Sequence, residues 1–246
     1  MNDRPGAASE ERTPRRVALL DWDGSLHRGL TLRDWTHYLG ERDLLPDGIV
    51  DAIEERFAAY DRGELPYSRL AKETPELYAR GLERVPQTEL RAHARSYVER
   101  DVRALFPFSR VLLASLVERE IETLVISGSP IETLAVHQEV LPIRRFWGIT
   151  VAVRDGLYTG ELELNPAEQT AKERLISTAV EGTTVVLAVG DSEADLPMLE
   201  MAQARIVVDN GALLADREAT LHLSPDSTED GGLAALGEFI REALRA

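Results

Sequence analysis

Four short apolar runs constrain this chain most: residues 17–20 (VALL), 122–126 (ETLVI), 184–189 (TVVLAV) and 205–208 (RIVV). Each is short for a helix and lacks the strict apolar–polar alternation of a half-exposed strand, so each reads as a strand covered on both faces. Helix-period stretches separate them, and that alternation predicts an α/β fold with a mainly parallel sheet. Far more chain lies between the first two runs than one crossover helix needs. Residues 30–105 carry one stripe of Leu32, Trp35, Tyr38 and Leu39 and another of Ile49, Ile53, Phe57 and Tyr60. Pro46, Pro66, Pro75 and Pro86 fall near plausible helix starts. The expected organisation is a disordered leader over 1–15, an α/β core over 16–29 and 106–246, and a helical cap over 30–105.

Two later segments have local signatures. Residues 146–164 (FWGITVAVRDGLYTGELEL) alternate around Asp155 and Gly156, the signal of a hairpin. The helix of residues 166–180 is expected to open with Asn165 as cap and Pro166 as its first position. Charge excludes some partners: 28 Lys plus Arg against 43 Asp plus Glu leave a net charge of −15. Such a surface repels nucleic acid and anionic lipid. Absence of cysteine excludes disulfides and thiolate metal sites. The first residues, MNDRPGAASEERTPRR, lack an apolar signal core, and no run reaches membrane-spanning length, so the expected location is cytoplasmic. Nothing in the sequence fixes an oligomeric state.

Polar groups recur where the expected strands end, the edge at which open α/β sheets bind ligands. Asp21 and Asp23 follow the first run in DWDGS. Residues two apart in extended chain point to one side, so both carboxylates can reach one ligand, or the pair is simply an Asp-Gly turn. Ser127 with Gly128 follows the second run and reads either as anion donors or as a helix cap. Lys172 is one of only two lysines, with Lys72. It is either a solvated helical lysine or a point charge held toward the same edge. Asp191 and Asp195, in GDSEADLPML, suit a hard cation such as Mg²⁺ or cap the following helix.

Their order along the chain is the stronger signal. DWDGS, the serine of ISGSP, Lys172 and GDSEADLPML together resemble the four motifs of the haloacid dehalogenase superfamily of hydrolases. The helical insertion and TGELELN, before Lys172, are similar to its phosphoserine-phosphatase-like branch. The resemblance implies a Rossmann-like doubly wound core and a Mg²⁺-dependent phosphatase acting on a small phosphorylated metabolite. It implies Asp21 as the nucleophile that becomes an aspartyl-phosphate, and Asp23 as the general acid and base. Ser127, Gly128 and Lys172 would hold the phosphoryl group, Lys172 also balancing charge on Asp21. Mg²⁺ would be bound by Asp21, Asp191 and the backbone carbonyl of Asp23, with Asp195 in support.

Asp23 favours phosphate esters over alkyl halides, because a halide needs no leaving-group proton. Phosphoserine itself is less well matched. That enzyme's first motif is followed by a glutamate that recognises the amino acid, where this chain has Leu30. Ala194 stands where an asparagine is common, and Ser129 where a second glycine is usual. Arg62, Tyr67, Arg69 and Tyr78 are candidate substrate readers in the cap. A phosphotransferase would use the same residues, and a catalytically silent phosphate-binding module would keep the fold. A receiver-type signalling domain would be about half this length and would lack the insertion.

Overall fold

A computed structural model describes residues 14–209, 211–227 and 232–245. The expected leader lies largely outside the described residues, and the first strand, β1 (Arg15–Leu20), begins at its last position. The other strands are β2 (Glu122–Pro130), β3 (Arg145–Arg154), β4 (Leu157–Leu164), β5 (Thr183–Gly190), β6 (Ala204–Val208) and β7 (Thr220–Leu223). They form one sheet in the order β4-β3-β2-β1-β5-β6-β7. Of these strands, β4 alone pairs antiparallel, against β3.

The reading of the apolar runs is met in detail. Successive residues of β1 face opposite cores. Ala18 and Leu20 pack with Leu112 and Leu116 of α5 (Pro107–Glu118) and Leu236 and Ile240 of α9 (Gly232–Ala243). Val17 and Leu19 pack with Ile176 of α7 (Gln169–Ala179) and Leu199 of α8 (Leu196–Met201). A strand covered on both faces has no polar side, which is why alternation is absent. The chain leaves β1 for β2 on one side and later returns to β5 on the other, so β1 and β5 flank the topological switch.

Between β1 and β2 run α1 (Thr31–Gly40), α2 (Asp47–Asp61), α3 (Tyr67–Gly81) and α4 (Gln87–Asp101). Pro46, Pro66 and Pro86 occupy the N-cap positions of α2, α3 and α4, with φ of −60°, −70° and −66°. Pro75 departs from the expectation: it lies inside α3. A proline there has no N–H to give the carbonyl of residue 71, one turn back. That carbonyl is served from outside the helix, by Asn165 Nδ2 at 2.9 Å.

The hairpin forms as expected. Asp155 and Gly156 have φ of +52° and +80°, the pair of left-handed residues that a two-residue type I′ turn needs. Its first strand is shared: Leu124 to Ile126 of β2 pair with Arg145 to Trp147 of β3. Farther along, Ile149, Val151 and Tyr158 join the core of the helical layer, with Trp35, Tyr78 and Leu90. α6 (Ile131–Val140) follows β2. Among the described residues, no helix is long and apolar enough to cross a membrane.

Candidate active site

β1 ends at Leu20, and the amide of Asp21 donates to Val189 of β5 at 3.0 Å, fixing the next residues at the sheet edge. The chain then turns sharply: the amides of Ser25, Leu26 and His27 all donate to the Trp22 carbonyl. Gly24 has φ of +78°, and a Cβ on it would lie 2.5 Å from Asp191 Oδ2. Both observations exclude other residues there without strain. The turn therefore brings the first acidic motif against the last.

Each of the four aspartates has its own donors. Lys172 Nζ donates to Asp21 Oδ1 at 3.0 Å and to Asp195 Oδ1 at 2.5 Å. Asp195 Oδ2 accepts from the amides of Asp191 and Ser192 and from Ser192 Oγ, each at 3.1 Å. Asp195 thus caps the short 3₁₀ turn Glu193–Asp195 that leads into α8, and it anchors Lys172 as well. Asp191 Oδ1 accepts from Ser25 Oγ at 2.9 Å. Asp23 Oδ2 accepts from Ser129 Oγ at 2.9 Å and from the Thr31 amide at 3.0 Å, and its Oδ1 accepts from Thr31 Oγ1 at 2.5 Å. Ser127 is buried, and its Oγ accepts from the Ser129 amide at 3.1 Å.

Lys172 is not a solvated helical lysine; only 5% of it is exposed. Burial disfavours its ammonium, but Asp195 and Asp21 outweigh that and raise its pKa. Burial also pushes the Asp21 carboxyl well above the usual range; Lys172 opposes this, while Asp195 and Asp191 add to it. Asp191 is pushed up to about 7, first by burial and then by the Asp195 carboxylate. One oxygen each of Asp21, Asp191 and Asp195 lies within 4.8 Å of the others. Such crowding of hard oxygen donors fits a divalent cation of the Mg²⁺ kind. Both oxygens of Asp195 already have donors, so Asp21 and Asp191 are the better placed to face an ion.

A cavity of about 430 Å³ opens over these groups. Its floor is Asp21, Asp23, Ser127, Lys172, Asp191 and Asp195, with Gly128 beside them. Its roof comes from the helical layer: Phe57, Tyr60, Tyr67, Leu70, Thr74 and Pro75. All the site residues expected from sequence meet here. Of the four candidate readers, Tyr67 lines the cavity. Arg62 pairs with Glu64 at 2.7 Å and Arg69 with Glu73 at 2.5 Å, outside its lining. Tyr78 is fully buried in the helical layer, accepting from Trp35 Nε1 at 3.0 Å.

Sequence reading missed what lies behind Asp23. His27 Nδ1 is 3.6 Å from Asp23 Oδ1, and its Nε2 is 3.0 Å from Asp101 Oδ1, in ion-pair range without hydrogen-bond alignment. Asp101 also meets His137 Nε2 at 2.8 Å. Burial opposes the His27 imidazolium, but Asp101 and then Asp23 raise its pKa to about 9. Thr31, Ser25 and Asp101 carry no local signal, because each acts on a residue its own helix or turn does not predict.

The fold and site define a doubly wound α/β protein whose switch-point carboxylates and buried lysine sit beneath a helical roof. The family described as haloacid dehalogenase-like hydrolase matches residues 18–200, and the chain belongs to it. No curated protein matches by sequence. Among solved structures, a protein of unknown function from Bordetella pertussis Tohama I is similar at TM-score 0.71 and 19% identity. That likeness covers 87% of this chain and 100% of the other. A phosphoserine phosphatase, as a phospho-aspartyl intermediate analogue, is similar at TM-score 0.60 and 15% identity, over 92% of this chain and 99% of its own. Cytosolic 5′-nucleotidase IIIB bound to cytidine is similar at TM-score 0.59 and 16% identity, covering 94% and 88%.

Proposed function

We propose that this chain is a Mg²⁺-dependent phosphatase that hydrolyses a small-molecule phosphomonoester through an aspartyl-phosphate on Asp21. The observation that carries this is the buried Lys172 ammonium bridging Asp21 and Asp195 at the floor of a roofed cavity. Asp21 attacks phosphorus with a carboxylate oxygen while the bond to the leaving oxygen breaks. Asp23 gives that oxygen its proton, then takes one from the water that attacks the phospho-enzyme and frees Asp21. Splitting the reaction this way makes each displacement easier, and general acid–base help is worth about 10²–10⁴-fold.

Ser127 Oγ and the Gly128 amide hold phosphoryl oxygens, and Lys172 neutralises charge on Asp21 and the group in transfer. Phosphoryl transfer needs mainly alignment and charge neutralisation, which these residues supply. Asp21, Asp191 and the Asp23 carbonyl would hold the cation, with Asp195 fixing their surroundings. When bound, the cation supplies positive charge to the phosphoryl oxygens. Residues 30–105 act as a cap that roofs the cavity and excludes water from the reacting groups.

The test is release of inorganic phosphate from a panel of phosphorylated sugars, alcohols and amino acids, with and without EDTA. Asp21→Asn is expected to abolish turnover with its circular dichroism unchanged, and EDTA to abolish it until Mg²⁺ is restored. Wild-type turnover by a verified Asp21→Asn variant sinks the assignment.

A further inference from the structure

The roof of the cavity is chemically unlike its floor. Phe57, Tyr60, Tyr67 and Leu70 present rings and alkyl groups, with Leu30 at the rim, 41% exposed. Tyr60 and Tyr67 form an edge-to-face pair with centroids 6.1 Å apart and planes at 62°. The Thr74 hydroxyl already donates to the Leu70 carbonyl at 2.8 Å, and Tyr60 and Tyr67 add one phenolic hydroxyl each at their ring tips. Among the described lining residues, Lys172 is the one basic side chain, and its ammonium is engaged by two carboxylates. Five acidic side chains line the same space: Asp21, Asp23, Asp191, Glu193 and Asp195. Guanidinium groups of the helical layer are turned to partners outside the cavity lining: Arg33 to Glu54, Arg62 to Glu64 and Arg69 to Glu73.

From this we infer that the leaving group of the substrate is an uncharged, apolar alcohol, and an aromatic or benzylic one best of all. The inference rests on the phosphatase reading above. A carboxylate or second phosphate on the leaving group would enter a cavity whose one basic side chain is already committed. It would also leave ordered water among the roof's rings and alkyl groups. Both cost binding, because a charge taken from water needs a partner. A flat apolar group instead stacks on or edges against Tyr60, Tyr67 and Phe57, where ring pairs add to the gain from area alone. The volume of about 430 Å³ lies within the range of pockets that enclose a compact organic ligand.

The experiment compares kcat/KM for benzyl phosphate, ethyl phosphate, O-phosphoserine and phosphoethanolamine at saturating Mg²⁺. Benzyl and ethyl alcohol are of similar acidity and the ammonium-bearing alcohols are better leaving groups, so a preference for benzyl phosphate reports the roof and not the chemistry. Benzyl phosphate is expected to exceed each of the others by about tenfold or more, the size of effect an apolar pocket gives for a modest change in a group. Tyr67→Ala should narrow the benzyl-to-ethyl ratio severalfold. Leu30→Arg, at an exposed rim position, should raise phosphoserine relative to benzyl phosphate. Phosphoserine or phosphoethanolamine turned over as well as benzyl phosphate overturns the inference and leaves the phosphatase reading standing. Unchanged ratios in both variants overturn it too. No turnover of any ester, at any enzyme concentration, sinks the phosphatase reading itself.

Discussion

Pro75 and Asn165 offer a direct measurement of how the helical layer is tied to the sheet. In α3 the carbonyl of Ala71 should receive the amide of residue 75, but residue 75 is proline. Asn165, outside that helix and 94 residues away, supplies the donor at 2.9 Å. Its other contacts organise the approach to α7: Nδ2 reaches Glu168 Oε1 at 3.1 Å, and Oδ1 accepts from the Ala167 amide at 3.2 Å. Asn165→Ala strands a buried carbonyl, at about 1–3 kcal/mol, and deletes the acceptor of the Ala167 amide, at about 1 kcal/mol more. The expected loss is about 2–4 kcal/mol.

Pro75→Ala restores an amide at the right place. In the double variant the Ala71 carbonyl is paired within the helix, so only the cost at Ala167 and Glu168 remains. A coupling of about 1–2 kcal/mol is therefore expected across the cycle, with the double variant more stable than the sum of the singles. Asn165→Asp should be at least as harmful as Asn165→Ala, since it aims an acceptor at the carbonyl. Urea unfolding of the four proteins, compared at constant slope, gives the number. Additivity within about 0.5 kcal/mol would falsify the claim that this amide serves that carbonyl.

Other outcomes follow from the site. Gly24→Ala places a methyl 2.5 Å from Asp191 Oδ2 in a left-handed backbone, so it should cost about 1–2 kcal/mol in backbone strain and displace Asp191. Calorimetric Mg²⁺ titration should show at least about tenfold weaker binding, the loss typical of disturbed ligand geometry; unaltered affinity would count against Asp191 as a ligand. His27 has a folded-state pKa raised from 6.5 to about 9. Its contribution is thus full below pH 6.5 and is lost as pH rises through 9. Relative to His27→Gln, the wild type should lose up to about 3 kcal/mol of stability across that window, in denaturant melts at stepped pH. Parallel pH profiles for the two proteins would show that Asp101 and Asp23 do not hold an imidazolium.

What could be read from sequence was whatever the backbone dictates locally. The strand before Asp21 is legible because a strand buried on both faces must be apolar throughout, and the hairpin because Asp155-Gly156 suits a left-handed turn. Prolines 46, 66 and 86 mark helix starts by the same kind of rule. Pro75 breaks the rule because the compensating amide comes from a distant segment, which no local pattern contains. That distant use also explains the late start of α7: Asn165 bonds Ala71 and Ala167, and the helix begins at Gln169 instead of Pro166. β7 was passed over because its four residues are too few and too exposed to signal a buried strand. At the site, chain order exposed Asp21, Ser127, Lys172 and Asp191. The donors that orient them, Ser25, Thr31 and Ser129, are contacts of the folded chain and leave no trace in spacing.

The electrostatics of the four aspartates explain why a chain of net charge −15 can place them together. Asp195 is held by three donors of its own turn and by Lys172, and Asp23 by Thr31 and Ser129. Those bonds come from the chain itself and fix the two carboxylates in place. Asp21 and Asp191 have a different balance: burial and the neighbouring carboxylates raise both against the opposing pull of Lys172, Asp191 to about 7. On the proposed reading, a divalent ion would relieve that crowding and keep Asp21 ionised, as a nucleophile must be. On that reading, the repulsion that makes the site costly to assemble is also what would draw a divalent cation to it, and Lys172 alone, shared between Asp21 and Asp195, does not remove it.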